Sequence, residues 1–273
     1  MAWAQGSINL PVALLTLVGC MAMHASVNML NDYFDFRSGL DVATSRTPFS
    51  GGSGVLPAGE LTPNSVLYAG IGTLLLGSGV GWYLVYNASF DPVLITILAL
   101  AIISVAGYSS LLSHWGVGEL SAGGCLGTLL VMGTYYLQTG SLAAQPVLVG
   151  ASLGILVAGI LYNNEFPDSQ ADEKTGRRHL VIRWGKSRAA HRFRILMVSA
   201  YAIIVAGVVA GLVAPIALIS LLALPKAWTA TKILKDSYEG PNEQLIPGMA
   251  STVMATLLTG ALLFVGYVVW HFV

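Results

Sequence analysis

The stretch from Asn28 to Asp41, NMLNDYFDFRSGLD, lies where a long apolar segment ends and a cluster of amide and carboxylate side chains begins. In a lipid bilayer such groups are stable only where they face water, protein or a metal ion. Asn31 and Asp35 are four residues apart, so one face of a helix would carry both. The stretch therefore predicts a polar site at the end of a membrane-spanning helix.

A second cluster, at the end of a later apolar segment, repeats this pattern. Residues 31–35 read NDYFD and residues 164–168 read NEFPD. Each has an Asn, an acid, an aromatic residue, one variable residue and an Asp, and the second cluster continues to Asp172. Two matching clusters indicate a duplicated helical unit whose copies contribute to one site.

The composition indicates a multi-pass membrane protein. The 273-residue chain is 55% hydrophobic and only 10% charged, and its mean hydropathy is +0.72. Soluble domains carry about 25% charged residues. The formal net charge is zero, which argues against nucleic-acid binding. The expected partner of the chain's surface is therefore the lipid bilayer, with no nucleic acid.

Eight stretches are apolar over about 20 residues, the length that a helix needs to cross a bilayer. The chain is therefore predicted to be an all-α, multi-pass transmembrane bundle. The predicted spans are 8–31, 64–87, 93–112, 117–138, 145–164, 192–212, 214–234 and 247–271. Residues 32–63 and 165–191 are expected to form long polar loops. Because the duplicated unit would need a further helix before the first span, we expect one N-terminal helix to be missing from this sequence.

The basic residues predict the orientation of the bundle. All thirteen Lys and Arg residues lie on or near the side of the two long connections. The positive-inside rule makes that side cytoplasmic. We therefore expect a protein of the cell (inner) membrane with both polar clusters at its cytoplasmic mouth.

The clusters contain hard oxygen ligands of the kind that Mg²⁺ prefers. Mg²⁺ held by one or two carboxylates commonly completes its shell with substrate phosphates. Basic side chains near the clusters could bind those phosphates; they are Arg46, Lys174, Arg177 and Arg178. A single Asp at a helix end is more often a solvated terminus or a cap. The repetition of the whole cluster favours a site that binds Mg²⁺ and a diphosphate.

The runs NDYFDFRSGLD (31–41) and NEFPDSQADEKTGRRHLVIRWG (164–185) resemble the paired aspartate-rich motifs of the UbiA superfamily of intramembrane prenyltransferases. The run GELSAGGCLGTLLVMGTYYLQTG (118–140) is similar to the 1,4-dihydroxy-2-naphthoate polyprenyltransferase branch, which acts in menaquinone synthesis. The resemblance implies nine helices around a central cavity that is capped on the cytoplasmic side. It also implies that residues 1–273 form a single transmembrane prenyltransferase domain.

Site residues follow from the resemblance and from the two clusters, position by position. The catalytic carboxylates would be Asp35, Asp168 and Asp172. The ligands of the metal would be Asn31, Asp35, Asn164, Asp168 and Asp172. The diphosphate would be bound by Arg46, Lys174 and Arg178. The substrate cavity would include Asn28, Asp32, Asp41 and Tyr108. The common first motif has its last Asp at the position of Gly39, so the role of Asp41 stays open.

The resemblance implies a Mg²⁺-dependent transferase that moves a polyprenyl group from polyprenyl diphosphate to a small aromatic acceptor, 1,4-dihydroxy-2-naphthoate. The same chemistry on 4-hydroxybenzoate, a glyceryl phosphate lipid or a tetrapyrrole is the nearest alternative. A cation-coupled transporter is a distant one, because intramembrane carboxylates often mark ion paths. Such transporters bind at the bilayer midplane between inverted repeats, whereas these clusters share one orientation and lie at one membrane edge.

Overall fold

The computed structural model describes residues 1–6, 8–44 and 46–272. Within those residues eight helices are long and apolar enough to cross a membrane, as the sequence predicts. They are α1 (Leu10–Ser38), α2 (Pro63–Asn87), α3 (Pro92–Trp115), α4 (Gly118–Thr139), α5 (Ala144–Lys174), α6 (Lys186–Val209), α7 (Pro215–Ser237) and α8 (Asn242–Phe272). Short helical segments cover Ala2–Gln5, Leu40–Ala43 and Leu180–Trp184. The all-α bundle is thereby confirmed.

The starts of α2 and α3 follow from local chemistry. Thr62 and Asp91 precede these helices, and their side-chain oxygens accept backbone N–H groups of the first turn. Pro63 and Pro92 come next, at the position where a helix needs no N–H donor. Cap and proline together determine where each helix begins.

The first and fifth helices continue beyond their predicted spans. The prediction that 32–63 and 165–191 are loops throughout is wrong, because α1 runs to Ser38 and α5 runs to Lys174. A fall in the hydropathy of the sequence indicates where a helix leaves the hydrocarbon core of the bilayer. It does not interrupt the backbone hydrogen bonds of the helix. The first helix stops only at Gly39, whose φ of +79° is the left-handed geometry of a helix cap. Both polar clusters therefore lie on rigid helix ends.

The densely packed core lies in the C-terminal half, between α5, α6, α7 and α8. Leu156, Phe166 and Met249 have no exposed surface, and the ring of Tyr162 stacks on that of Phe193 with centroids 5.9 Å apart. The outer surface is apolar instead of charged: Leu75, Val209 and Phe264 are 67%, 84% and 71% exposed. Such a surface suits contact with lipid tails.

Glycines allow α4 and α5 to approach closely. A Cβ atom added at Gly127 would overlap the backbone of Gly154 and would lie 2.7 Å from the carbonyl oxygen of Gly150. Small residues at such contacts let membrane helices pack backbone to backbone. This contact joins the helix that opens at Gly118 to the helix that carries the second polar cluster.

Gly127→Ala is expected to destabilise the bundle by about 1–3 kcal/mol, because the added methyl group must push α4 away from α5. Gly124→Ala is the matched control: its Cβ would meet no atom of the described residues within 4 Å. Denaturation of the two purified variants in detergent measures the difference. Equal stability of G127A and G124A would contradict this packing.

Candidate active site

A cavity of about 870 Å³ is lined by the first five membrane-spanning helices, α1 to α5, and by a small part of α8. Most of its wall is apolar, with side chains such as Leu98, Leu129 and Ile160. On α1 it extends from Thr16 to Asp35, which corresponds to about 28 Å of helix. The end at Asp35 is the end that carries both polar clusters. The cavity is therefore a long apolar space with one charged end.

Arg177 joins the two clusters at that charged end. Its guanidinium forms an ion pair with Asp35 of α1 and lies 3.3 Å from Oδ1 of Asp172 of α5. Asn31 supports the pair, since its Nδ2 donates to Oδ2 of Asp35 at 2.9 Å. Burial alone would lower the pKa of Arg177, but the carboxylates of Asp35 and Asp172 outweigh it and raise that pKa. Arg177 is thus a permanent cation between two carboxylates.

A glycine-rich loop, Phe49 to Gly54, crosses the mouth of the cavity and contacts both clusters. The hydroxyl of Ser50 donates to Oδ1 of Asp168 at 3.3 Å, and the backbone N–H of Ser53 donates to Oδ1 of Asp32 at 3.2 Å. Gly52 lies between them with a φ of +69°. The loop therefore covers the charged end and connects the ends of α1 and α5.

The predicted diphosphate-binding residues lie away from the cavity wall. Arg46 is exposed, and its guanidinium donates to the loop carbonyls of Gly52, at 3.2 Å, and Ser53, so it supports the loop. Lys174 and Arg178 are exposed and do not belong to the residues that line the cavity. The diphosphate-binding role of the three residues stays a prediction from the sequence. Among the described residues that line the cavity, the Lys or Arg side chain is that of Arg177, which is partly buried.

The other predicted cavity residues do line it: Asn28, Asp32, Asp41 and Tyr108. Tyr108 opens a turn of π-helix, Tyr108–Leu112, within α3. The widened turn brings the hydroxyl of Ser109 to Oδ1 of Asn31, to which it donates at 2.9 Å. A π-turn of this kind is common at functional sites, and no pattern in the sequence predicts it.

Asp41 lies on the short helix Leu40–Ala43 and is only 5% exposed. Burial is the main cause that raises the pKa of Asp41 to about 7, and the carboxylates of Asp35 and Asp32 add to it. The charged end therefore holds more carboxylate groups than its cations balance. An additional positive charge there would stabilise the ionised form of Asp41.

The oxygen atoms at this end fit Mg²⁺. Oδ1 of Asn164, Oδ2 of Asp41 and Oδ1 of Asp172 are buried and accept no hydrogen bond from the residues that the structure describes. Oδ1 of Asp172 is near Arg177 but lacks hydrogen-bond geometry. In the described part of the chain, no three His, Cys, Asp or Glu side chains are grouped as a metal site. The buried oxygen atoms of Asn164, Asp41 and Asp172 suit a cation such as Mg²⁺, which binds one or two protein carboxylates and completes its shell with phosphate oxygens.

Two buried residues beside the second cluster were not predicted as site residues. The ring of His179 lies between Glu165 and Asp172: its Nδ1 is 3.4 Å from Oε2 of Glu165, and its Nε2 is 3.2 Å from Oδ2 of Asp172. Both His179 and Glu165 line the cavity. The position of Glu165 as the acid of the repeated motif could have identified it as a site residue. No pattern in the sequence shows that this acid is buried.

Comparisons with known proteins show the family to which the chain belongs. The model of the UbiA prenyltransferase family matches residues 1–246. The 1,4-dihydroxy-2-naphthoate octaprenyltransferase of Bacillus subtilis is 27% identical, over 97% of this chain and 84% of that protein. The enzymes of the same name from Escherichia coli and Mycobacterium tuberculosis are 28% and 30% identical, over 97% and 92% of this chain and 87% and 85% of those proteins.

A solved structure has a similar fold. It is a UbiA homolog from Archaeoglobus fulgidus bound to DMAPP and Mg²⁺, with a TM-score of 0.53 and 15% sequence identity. The match covers 95% of this chain and 90% of that one. The likeness at this identity concerns the fold, while the family match spans most of the sequence. This chain is a multi-pass membrane protein that belongs to the UbiA prenyltransferase family.

Proposed function

We propose that the protein transfers a polyprenyl group from polyprenyl diphosphate to an aromatic acceptor within the membrane, and that the acceptor is 1,4-dihydroxy-2-naphthoate. The observation that carries this proposal is a cavity of about 870 Å³ that combines a charged, oxygen-rich end with a long apolar remainder. A polyprenyl diphosphate has the same division into an ionic head and an apolar tail. The names of the similar proteins support the choice of acceptor.

In this proposal the diphosphate binds at the charged end and the isoprenoid tail lies along the apolar wall. Arg177 is the cation that faces the cavity there, and a guanidinium pairs well with phosphate oxygens. The tail would occupy about 28 Å beside α1, from Asp35 towards Thr16. The glycine-rich loop would cover the head group.

The residues that would hold Mg²⁺ are Asn31, Asp35, Asn164, Asp168 and Asp172. When bound, the metal would offset the negative charge of the diphosphate. The fit rests on oxygen atoms that are buried and without hydrogen-bond partners in the described residues, such as Oδ1 of Asn164. The structural neighbour, which was solved with DMAPP and Mg²⁺, supports the same cofactor here.

The residues of this chain would assist the reaction in two ways. The allylic C–O bond breaks and its electron pair leaves with the diphosphate, whose growing charge Arg177 stabilises. The apolar wall of the cavity keeps water from the allylic cation. The electron-rich ring of the acceptor then attacks the cation and forms the new C–C bond, and a naphthoate acceptor loses carbon dioxide.

We further propose that residues 1–273 act as one prenyltransferase domain in the cell (inner) membrane, with the charged end facing the cytoplasm. The thirteen Lys and Arg residues on or near that side support this orientation. Labelling of an introduced cysteine tests it: a cysteine in place of exposed Glu173 should react with a membrane-impermeant maleimide in inverted vesicles only. Labelling of this cysteine in intact cells would show that the charged end faces the outside, contrary to the proposal.

The activity is tested by incubating membranes that contain the protein with radiolabelled geranylgeranyl diphosphate and either Mg²⁺ or EDTA. The acceptors 1,4-dihydroxy-2-naphthoate, 4-hydroxybenzoate and geranylgeranylglyceryl phosphate are supplied in parallel, with membranes that lack the protein as control. We expect a labelled product only with Mg²⁺ and the naphthoate. Labelling of a different acceptor would overturn the choice of acceptor, and absence of both product and diphosphate release would overturn the enzymatic function.

A further inference from the structure

Beside the charged end, one wall of the cavity is formed by Tyr108, Glu165 and His179. We call these three residues the acceptor wall. Glu165 and His179 are 8% and 5% exposed, although both are polar. The wall holds an acid, an imidazole and a phenol ring, whereas the charged end beside it carries the guanidinium of Arg177.

Three polar atoms of the acceptor wall lack hydrogen-bond partners among the described residues. Oε2 of Glu165 and both ring nitrogens of His179 are buried and form no hydrogen bond with any residue in 1–6, 8–44 or 46–272. The ion-pair distances of 3.2 to 3.4 Å between these groups lack hydrogen-bond geometry. Buried polar groups nearly always have a partner in a working protein. The wall therefore has unused hydrogen-bonding capacity that points to a ligand.

Asp172 connects the acceptor wall to the charged end. Its Oδ1 is 3.3 Å from Arg177, and its Oδ2 is 3.2 Å from Nε2 of His179. A molecule at the wall is thus separated from the site proposed for the diphosphate by a single carboxylate. An acceptor bound at the wall would therefore lie next to the proposed diphosphate site, as attack of its ring on the allylic carbon requires.

The charge of the wall selects the part of the acceptor that can bind there. Asp172, whose Oδ2 lies 3.2 Å from Nε2 of His179, repels both a diphosphate and the carboxylate of an aromatic acid at this wall. A ring hydroxyl, by contrast, can donate a hydrogen bond to Glu165. The acid group of the acceptor would point the opposite way, towards Arg177, and its ring would lie against Tyr108.

We propose that Glu165 and His179 bind a ring hydroxyl of the aromatic acceptor and thereby select hydroxylated aromatic acids. This inference rests on the proposed prenyl transfer. For 1,4-dihydroxy-2-naphthoate the bound group is the 4-hydroxyl, because it lies on the side of the ring away from the carboxylate at position 2. An aromatic acid without a ring hydroxyl has no such donor for this wall.

The test compares the wild type with Glu165→Leu, which removes the accepting oxygens, and Glu165→Gln, which keeps shape and one oxygen. Glu173→Gln is the matched control, since Glu173 is on the same helix but exposed. We expect E165L to raise the KM for 1,4-dihydroxy-2-naphthoate about tenfold or more, E165Q to raise it less, and E173Q to leave it unchanged. The KM for geranylgeranyl diphosphate should stay within about twofold in all variants.

A second measurement separates hydroxyl binding from a general disturbance of the cavity. The analogue 1-hydroxy-2-naphthoate, added as a competitor, lacks the 4-hydroxyl, so we expect its inhibition constant to be the same in the wild type, E165Q and E165L. Equal loss of affinity for both naphthoates, or a KM effect confined to the donor, would overturn the assignment. If the wild type prenylates the naphthoate and E165L keeps the wild-type KM, only this inference fails. If the wild type transfers to no aromatic acceptor, the proposed function fails as well.

Discussion

Arg177→Gln is expected to lower kcat for prenyl transfer by about 10²–10³-fold, the effect of removing one preorganised group that stabilises the charge of a transition state. It should also destabilise the protein by about 3–5 kcal/mol, because Asp35 and Asp172 would be left as buried carboxylates without their cation. Steady-state kinetics in nanodiscs and denaturation in detergent measure the two effects.

Arg178→Gln is the matched control for Arg177→Gln. Arg178 is the next residue in the chain, but it is exposed and lies outside the cavity wall. Its replacement is expected to change kcat and stability little, since surface substitutions usually stay within about 0.5 kcal/mol. A larger loss of activity in R178Q than in R177Q would support the diphosphate-binding role predicted for Arg178 and contradict the role proposed for Arg177.

Asp35→Asn and Asp168→Asn are each expected to abolish prenyl transfer while the bundle stays folded. Each change removes one negative charge from the proposed Mg²⁺ ligands but keeps an oxygen atom and the shape of the side chain. In the Asp35→Asn variant, Arg177 would still be paired with Asp172. The loss of stability should therefore be smaller than in R177Q. Turnover of purified variants, together with their thermal unfolding in detergent, measures both quantities.

Asp236→Asn is the control for these two variants, because Asp236 is an exposed carboxylate near the end of α7. It should retain wild-type turnover. The half-saturating Mg²⁺ concentration gives an independent readout for any residual activity, and it should rise in D35N and D168N. Full turnover in both variants at the wild-type Mg²⁺ requirement would overturn the assignment of the two carboxylates.

Much of the fold could be predicted from the sequence because hydropathy and helical hydrogen bonding are local properties. A run of about 20 apolar residues must form its hydrogen bonds within itself to cross a bilayer. The eight spans follow from this rule alone. The repetition of NDYFD at 31–35 as NEFPD at 164–168 likewise indicates two related helix ends. The structure has both runs on α1 and α5, beside one cavity.

The choice among neighbouring basic residues was decided only by the tertiary structure. Lys174 is the last residue of α5, and Gly176 then reverses the chain with a φ of +87°. The backbone N–H of Arg177 consequently donates to the carbonyl oxygen of Asp172 at 3.0 Å, and its side chain enters the cavity. Helical spacing cannot predict this direction, because the chain is no longer helical at that point.

The burial of Glu165 and His179 was also decided by the tertiary structure. The sequence shows an acid in a motif and a histidine in a polar stretch, and both residue types are usually solvated at helix ends. Their burial depends on the packing of α5 against its neighbours and on the turn that brings His179 back beside Asp172. The sequence by itself therefore determined the spans and the two clusters through short-range rules. The partners of the charged groups depend on long-range contacts, which only the folded chain defines.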